Sequence, residues 1–147
     1  VPMIYLWLNL GVLPFWIVLL FFPSSGVSKY MVRSIFPFMI FSFVYAYLLY
    51  YFFLTEFDFK NNFNLYLGLE QLSELFSETG FLIMFWCHFL AINLFCGAWI
   101  VSDSLKFSMS KFLVFFPLLI TYFIGPIGLF LYWLIRIFFA KKLSLYD

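Results

Sequence analysis

Long runs of apolar residues, separated by short polar segments, set the organisation of this chain. Four runs cover residues 4–22, 35–54, 81–101 and 111–139. Each is long enough to be predicted as a helix that crosses a bilayer, because about 20 apolar residues span the hydrocarbon core. Gly125-Pro126 divides the last run into halves that are each too short to cross. We therefore expect one long helix, kinked or tilted at Pro126.

Residues 55–79 form the one extended polar stretch. Leu65 to Ser77 carries apolar residues at helical spacing, and Glu70, Glu74 and Glu78 recur at every fourth position. This pattern predicts an amphipathic helix at the membrane surface. The predicted fold is therefore all-α: a single integral membrane domain, residues 1–147, that forms a four-helix transmembrane bundle. The amphipathic surface helix lies between the second and third spans.

Composition supports a membrane protein and removes one class of partner. Hydrophobic residues make up 66% of the chain and charged residues 10%, against about 25% charged in soluble domains. The net charge is +1 and no basic stripe is present, so nucleic acid is excluded as a partner. Membrane lipids are the expected partners, with a homo-oligomer possible. Four spans place four basic residues on each side, which gives no preferred orientation.

The third run holds most of the groups that do chemistry. Its segment WCHFLAINLFCGAWIVSD contains the one histidine, His88, both cysteines, Asn93 and Asp103. Polar groups at membrane depth are expensive and point to function, and we expect them to face a shared protein interior. Cys87 and Cys96 are nine residues apart and are interpreted as buried apolar thiols. No zinc pattern is present, and one histidine excludes a multi-histidine haem or di-iron site; we expect no metal and no cofactor.

His88 is the first candidate for acid–base chemistry inside the membrane. The alternative is a histidine that hydrogen-bonds another helix and only joins the two. Glu78, before the third span, and Asp103, at its end, are the carboxylates that could complete a proton-transfer pair with His88. Each also has a structural alternative, because Glu78 suits a helix N-terminus and Asp103 could cap the following segment.

Asn93 could bind a substrate oxygen or form an interhelical hydrogen bond. Trp86, Asn93 and Gly97 share one helix face, and Gly97 would let a helix or a ligand approach closely. Asn9, in the first run, reaches the same polar cluster if the first and third helices pack together.

Three segments together resemble the neoxanthin-synthase-like, or abscisic-acid-deficient-four-like, family of membrane proteins. They are LNLGVLPFW (8–16), HFLAINLFCGAWIVSD (88–103) and GPIGLFLYWLIR (125–136). FPSSGVSKYMVRS (22–34) lies where the family has its first basic loop. The resemblance implies a four-helix integral membrane protein, found in plastids and bacteria. In plants it implies neoxanthin formation from violaxanthin, an epoxide-to-allene isomerisation.

The resemblance also selects site residues and exposes two departures. Asn93 stands where the family usually has an acid, and Ala98 stands where it usually has a basic residue. The first change removes a candidate proton acceptor, and the two together remove an intrahelical ion pair. The positions that match the family pattern are Glu78, Trp86, His88, Gly97, Trp99 and Asp103.

The sequence thus predicts a membrane-embedded isomerase-type enzyme that acts on a carotenoid or a similar lipophilic isoprenoid without a redox cofactor. The predicted catalytic residues are His88, Glu78 and Asp103, and the predicted substrate-binding residues are Asn93, Trp86, Trp99, Gly97 and Asn9. The alternative is a non-catalytic membrane subunit or a module that binds lipid or pigment. A transporter is disfavoured because little charge lies within the spans. A bacterial inner membrane is the expected location, with a plastid membrane as the alternative.

Overall fold

The computed structural model describes residues 2–52 and 66–146. Within these ranges the fold is all-α, which confirms the predicted class, and the single-domain assignment stays a prediction. A short π-helical segment, Ser28–Val32, leads into the second helix. The six α-helices are α1 (Pro2–Phe21), α2 (Phe36–Leu49), α3 (Leu69–Phe76), α4 (Thr79–Lys106), α5 (Lys111–Phe123) and α6 (Gly125–Ala140).

Three segments are long and apolar enough to cross a membrane, and they correspond to the first three predicted spans. They are Pro2–Phe21, Ser28–Phe52 and Thr79–Lys106. Half of the most apolar window of α4 is buried, against 22% for each of the other two. The third span is therefore the central helix, and the others pack around it.

Helices α1 and α4 run side by side in the same direction. The Trp86 indole Nε1 donates to the Asn9 side-chain oxygen at 3.2 Å. Further along both helices the Trp16 ring covers Gly97, where an added Cβ would meet a ring atom at 2.5 Å. Gly97 therefore allows the close approach of α1 to α4, as its small size predicts.

The single long helix predicted over residues 111–139 is wrong, because the segment folds as two antiparallel helices. Ile124 takes an extended conformation, with φ −140° and ψ 91°, and separates α5 from α6. Pro126 is the second residue of α6. A proline in the first turn leaves no helical hydrogen bond unmade, so Pro126 helps to begin a helix and does not kink one.

Both ends of this helical hairpin lie at the same end of the bundle. Lys111, the first residue of α5, reaches the last turn of α1. The tip at Gly125 touches Asn93, which is the fifteenth of the 28 residues of α4. Helix α6 then returns to the end of α4, where Arg136 pairs with Asp103. The hairpin therefore extends about halfway along α4, and the predicted fourth crossing is not confirmed.

Because the hairpin returns to the end where it starts, the distribution of charge differs from the predicted one. All of the described basic residues lie at the end where α1 and α4 finish, which we name the basic end. Glu70, Glu74 and Glu78 lie at the opposite, acidic end, where α4 begins. The even division of basic residues was wrong because it depended on a fourth crossing; the eighth cation, Lys60, lies outside the described residues. The basic end carries Lys29, Arg33, Lys106, Lys111, Arg136, Lys141 and Lys142.

Helix α3 is the predicted amphipathic helix, shorter than expected; Leu65 lies outside the described residues. Its Leu75 is buried, and the ring of Phe76 packs 5.0 Å from that of Phe81 at the start of α4. Glu70 and Glu74 are exposed. The apolar side of α3 therefore rests on α4, and its carboxylates face outward at the acidic end.

Candidate functional site

The His88 imidazole lies on the outer face of α4, where it is exposed. The expectation that the polar groups of this helix all face a shared interior is therefore wrong. The physical reason is that α4 is apolar around its whole circumference, so its periodicity does not tell which face is buried. Asn93 and Asp103 do turn inward, and each is 5% exposed.

His88 lies in a long groove between α2 and α4, which we name the α2–α4 groove. Each helix contributes a stripe of residues spaced three or four apart, which places them along one side of that helix. Two cavities of about 370 and 200 Å³ follow one another along it. The stripes are Ile35, Phe38, Ser42 and Tyr45 on α2 and its lead-in, and His88, Ile92, Phe95, Trp99 and Ser102 on α4.

The end of the groove toward the acidic end holds the polar groups closest to His88. The rings of Tyr45 and Phe85 lie 6.3 and 6.2 Å from the imidazole, measured between centroids. Ser42 adds a hydroxyl, and the Cys87 thiol donates to the Phe41 carbonyl at 3.7 Å. An imidazole and a phenol thus share one cavity with a hydroxyl and a thiol, and its remaining walls are apolar.

The opposite end of the groove carries a cation. Arg33 Nε donates to Ser28 Oγ at 2.8 Å, and its Nη1 lies 3.5 Å from Ser102 Oγ. Ser102 is fourteen residues beyond His88 on α4. At 1.5 Å of rise per residue, the two polar ends are about 21 Å apart. The groove is therefore polar at both ends, and between its two cavities the rings of Phe38 and Phe95 meet edge-to-face, 5.3 Å apart between centroids.

A second polar cluster is buried between α4 and α6. The Asp103 carboxylate accepts from Arg136 Nε at 2.7 Å and from the Tyr132 hydroxyl at 2.5 Å. Arg136 is 2% exposed, and its guanidinium lies 5.8 and 5.3 Å from the Trp99 and Phe107 rings. An arginine near the end of an apolar run is usually found at the water interface, but Arg136 is buried inside the protein. In this arrangement Asp103 attaches α6 to α4 and caps no following segment.

The three residues predicted to be catalytic are not brought together. Glu78, exposed at the beginning of α4, is ten residues from His88, or about 15 Å. Asp103 is fifteen residues beyond His88, or about 22 Å. Neither carboxylate can pair with the imidazole, because all three stand on one continuous helix. Each residue's catalytic role stays a prediction; the pairing is wrong.

The predicted substrate-binding residues fall into three places. Trp86 and Gly97 face α1, and Asn9 joins Trp86, which confirms that the first and third spans pack together. Asn93 faces the hairpin tip, and Asn9, which pairs with Trp86, does not reach Asn93. The side-chain nitrogen of Asn93 has no hydrogen-bond partner among the described residues. Of the five, Trp99 lines the α2–α4 groove.

The contribution of α2 was not predicted from the sequence. None of its residues was a candidate for the site, and Arg33 belonged to the segment 22–34 that resembles a basic loop. The spacing of Phe38, Ser42 and Tyr45 is a helical stripe that contains two polar residues, and this was the available signal. Across the described ranges, no three His, Cys, Asp or Glu side chains lie close enough to hold a metal ion.

Residues 3–132 match the family described as ABA4-like, ABA DEFICIENT 4-like. The chain belongs to the ABA4-like family. Protein ABA DEFICIENT 4, chloroplastic, from Arabidopsis thaliana is 30% identical over 116 residues, which cover 73% of this chain and 52% of that protein. This ABA4-like chain thus spans about half the length of the curated relative. No solved structure matches it.

The matched region contains the whole α2–α4 groove and the hairpin tip. It ends at Tyr132, so Arg136 lies beyond it. The match over residues 3–132 confirms the sequence resemblance to this family. The groove belongs to the part of the chain that ABA4-like proteins share.

Proposed function

We propose that this ABA4-like chain is a membrane-embedded isomerase-type enzyme that acts on a carotenoid or a similar lipophilic isoprenoid held in the α2–α4 groove. The observation that carries the proposal is the His88 imidazole, exposed in this groove beside Tyr45. His88 is the tenth residue of the 28-residue α4. It thus lies about 7 Å from the helix midpoint, well inside a hydrocarbon core of about 30 Å.

The shape of the groove supports a long apolar substrate. It opens sideways along α2 and α4, so a polyene dissolved in the bilayer can enter without passing through water. Its middle is formed by Ile92, Phe95 and Phe38, which offer apolar walls. Because the Phe38 and Phe95 rings are in contact, a substrate that fills both cavities has to turn these two side chains aside. Its polar ends, about 21 Å apart, can hydrogen-bond oxygen atoms on the substrate.

The chemistry at the His88 end requires no redox partner. Opening an epoxide needs a proton delivered to the ring oxygen and a proton removed from a neighbouring carbon, so the substrate gains and loses one proton. Neutral imidazole accepts a proton and the Tyr45 phenol donates one. The two rings are neighbours, 6.3 Å apart between centroids, so the imidazole and the phenol can both reach one substrate end group that enters their shared cavity.

The test compares His88→Ala with Ile92→Ala, a control that shortens a side chain in the same cavity and removes no ionisable group. Each variant is purified, its bound pigment is read by visible absorption, and conversion of added epoxy-carotenoid is followed by chromatography. We expect His88→Ala to keep its folding and bound pigment but to lose conversion by about 10²–10⁴-fold. Ile92→Ala should keep most of its activity. Unchanged conversion in His88→Ala removes the imidazole from the mechanism.

The second candidate is a non-catalytic membrane subunit or a module that binds lipid or pigment. It is favoured by one observation, the separation of Glu78 and Asp103 from His88 along α4. A protein that carries a polyene and never converts it supports the binding module. If no polyene is ever bound and His88→Ala unfolds the protein, the subunit is supported. The chloroplastic relative supports a plastid membrane as the location; a bacterial inner membrane stays the other prediction.

A further inference from the structure

A separate cavity of about 240 Å³ lies at the basic end, where α1, α4 and α5 meet. Its inner wall is formed by Leu19, Val101 and Leu118, each at most 2% exposed. Its outer rim carries Ser24 and Lys111, both exposed. It shares no lining residue with the α2–α4 groove.

Among the residues that the structure describes, no carboxylate pairs with the Lys111 ammonium at this rim. Its Nζ lies 3.5 Å from the Phe21 carbonyl oxygen. Among the described residues, Asp103 supplies the one carboxylate at the basic end, and Arg136 already pairs with it. Lys111 is also the first residue of α5, and a cation is unfavourable there because helix N-termini carry partial positive charge. The rim therefore favours an anion.

The depth of the cavity suits a hydrocarbon chain. Lys111 and Leu118 are seven residues apart on α5, so the rim and the inner wall are separated by about 10 Å. Between them the walls are mostly apolar, with Val114 on α5 and Leu105 on α4, and the Ser104 hydroxyl on this wall already donates to the Val101 carbonyl at 2.9 Å. An apolar chain would bury these walls, while an anion stays at the rim beside Lys111 and the Ser24 hydroxyl.

We propose that this cavity binds one anionic phospholipid from the leaflet at the basic end. One acyl chain fills the cavity, and the phosphate contacts Lys111 and Ser24. A phospholipid meets both requirements at once, whereas an uncharged polyene leaves Lys111 without an anion. Basic pockets between transmembrane helices are known to hold anionic headgroups in this way. The site is independent of the proposed enzymatic function, because it uses neither His88 nor the groove.

The test measures phospholipid binding to the purified full chain in a neutral detergent. Native mass spectrometry counts bound lipid, and thermal unfolding reports its effect, with phosphatidylglycerol compared with phosphatidylcholine. Lys111→Gln removes the charge at the rim. Lys29→Gln is the matched control, because Lys29 is exposed at the same end, outside the cavity, with its Nζ 5.3 Å from the Tyr30 ring centroid. Val114→Phe fills the cavity from its buried wall.

We expect wild type and Lys29→Gln to retain phosphatidylglycerol and to be stabilised by it. Lys111→Gln should bind it about tenfold less tightly, and a folded Val114→Phe should lose it. Equal retention of phosphatidylglycerol by Lys111→Gln overturns the proposal, even if Val114→Phe fails to fold. Equal binding of phosphatidylcholine by wild type also overturns the proposal. So does equal stabilisation by inorganic phosphate alone, because that result indicates a site for a free anion.

Discussion

Asp103 and Arg136 form a buried ion pair, with 2.7 Å between the Arg136 Nε and an Asp103 carboxylate oxygen. Both side chains are almost completely buried, and the Tyr132 hydroxyl completes the cluster. A buried charge is stable only while its partner and its hydrogen bonds are in place. The main effect of the pair is therefore to fix the position of α6 on α4.

Arg136→Met should lower the free energy of unfolding by about 3–5 kcal/mol, because it leaves the Asp103 carboxylate buried without its cation. Denaturant titration in detergent micelles measures the loss. The double variant Asp103→Leu, Arg136→Met removes both charges and should recover most of it. A single variant that loses less than about 1 kcal/mol would mean that water reaches this pair.

The burial of these residues could not be predicted from the sequence, because each residue type occurs in membrane proteins both at a surface and in a buried contact. Arg136 lies near the end of an apolar run, where arginine usually marks the interface, and nothing in its neighbours reveals an aspartate 33 positions earlier. His88 was recognised as important, but its direction was not predictable from a helix that is apolar on every side.

At the scale of the elements, the hairpin depends on close contact between its two arms. Gly128 of α6 faces Thr121 of α5, and an added Cβ would meet backbone atoms of Thr121 at 2.5 and 2.6 Å. Backbone cannot move aside as a flexible side chain can. The tip therefore requires a residue without a side chain at position 128.

Gly128→Val should force the arms apart and destabilise the protein by about 1–3 kcal/mol, the usual range for overpacking. Gly11→Val is the control, since an added Cβ at this exposed position of α1 has nothing within 4 Å. Thermal unfolding of both variants in detergent gives the comparison. An unaffected Gly128→Val would show that the arms do not pack as described.

Sequence predicted the three long helices well and the hairpin badly. The spans over 4–22, 35–54 and 81–101 overlap Pro2–Phe21, Ser28–Phe52 and Thr79–Lys106, because about 20 consecutive apolar residues leave few alternatives. The run over residues 111–139 is also predominantly apolar, so composition did not distinguish it from a fourth span. Its two short halves were joined because each is too short to cross a bilayer alone, and a hairpin that extends only part of the way was not considered.

At the scale of the whole molecule, the three spans and the hairpin place the described cations at one end. Lys29, Arg33 and Lys106 lie at that end with both ends of the hairpin, and Glu70, Glu74 and Glu78 lie at the other. Membrane proteins retain Lys- and Arg-rich segments on the cytoplasmic side, or on the equivalent side of an organelle. We therefore predict that the basic end faces that side.

Cysteine labelling with a membrane-impermeant reagent tests both the orientation and the hairpin. In a background with Cys87→Ala and Cys96→Ala, Lys111→Cys and Lys142→Cys should be labelled from the same, cytoplasmic side. Glu78→Cys should be labelled from the opposite side. Labelling of Lys111→Cys and Lys142→Cys from opposite sides would restore the fourth crossing and contradict the hairpin.

The half-length hairpin gives the molecule unequal cross-sections. Within the described residues, a slice near the basic end cuts five long or medium helices, whereas a slice near the start of α4 cuts three long helices and the eight-residue α3 packed on α4. The described part of the chain therefore tapers like a wedge toward the acidic end, and we expect it to displace more lipid from the monolayer at the basic end. Bilayers that bend toward the narrow side relieve this mismatch, so membrane shape itself selects where such a wedge resides.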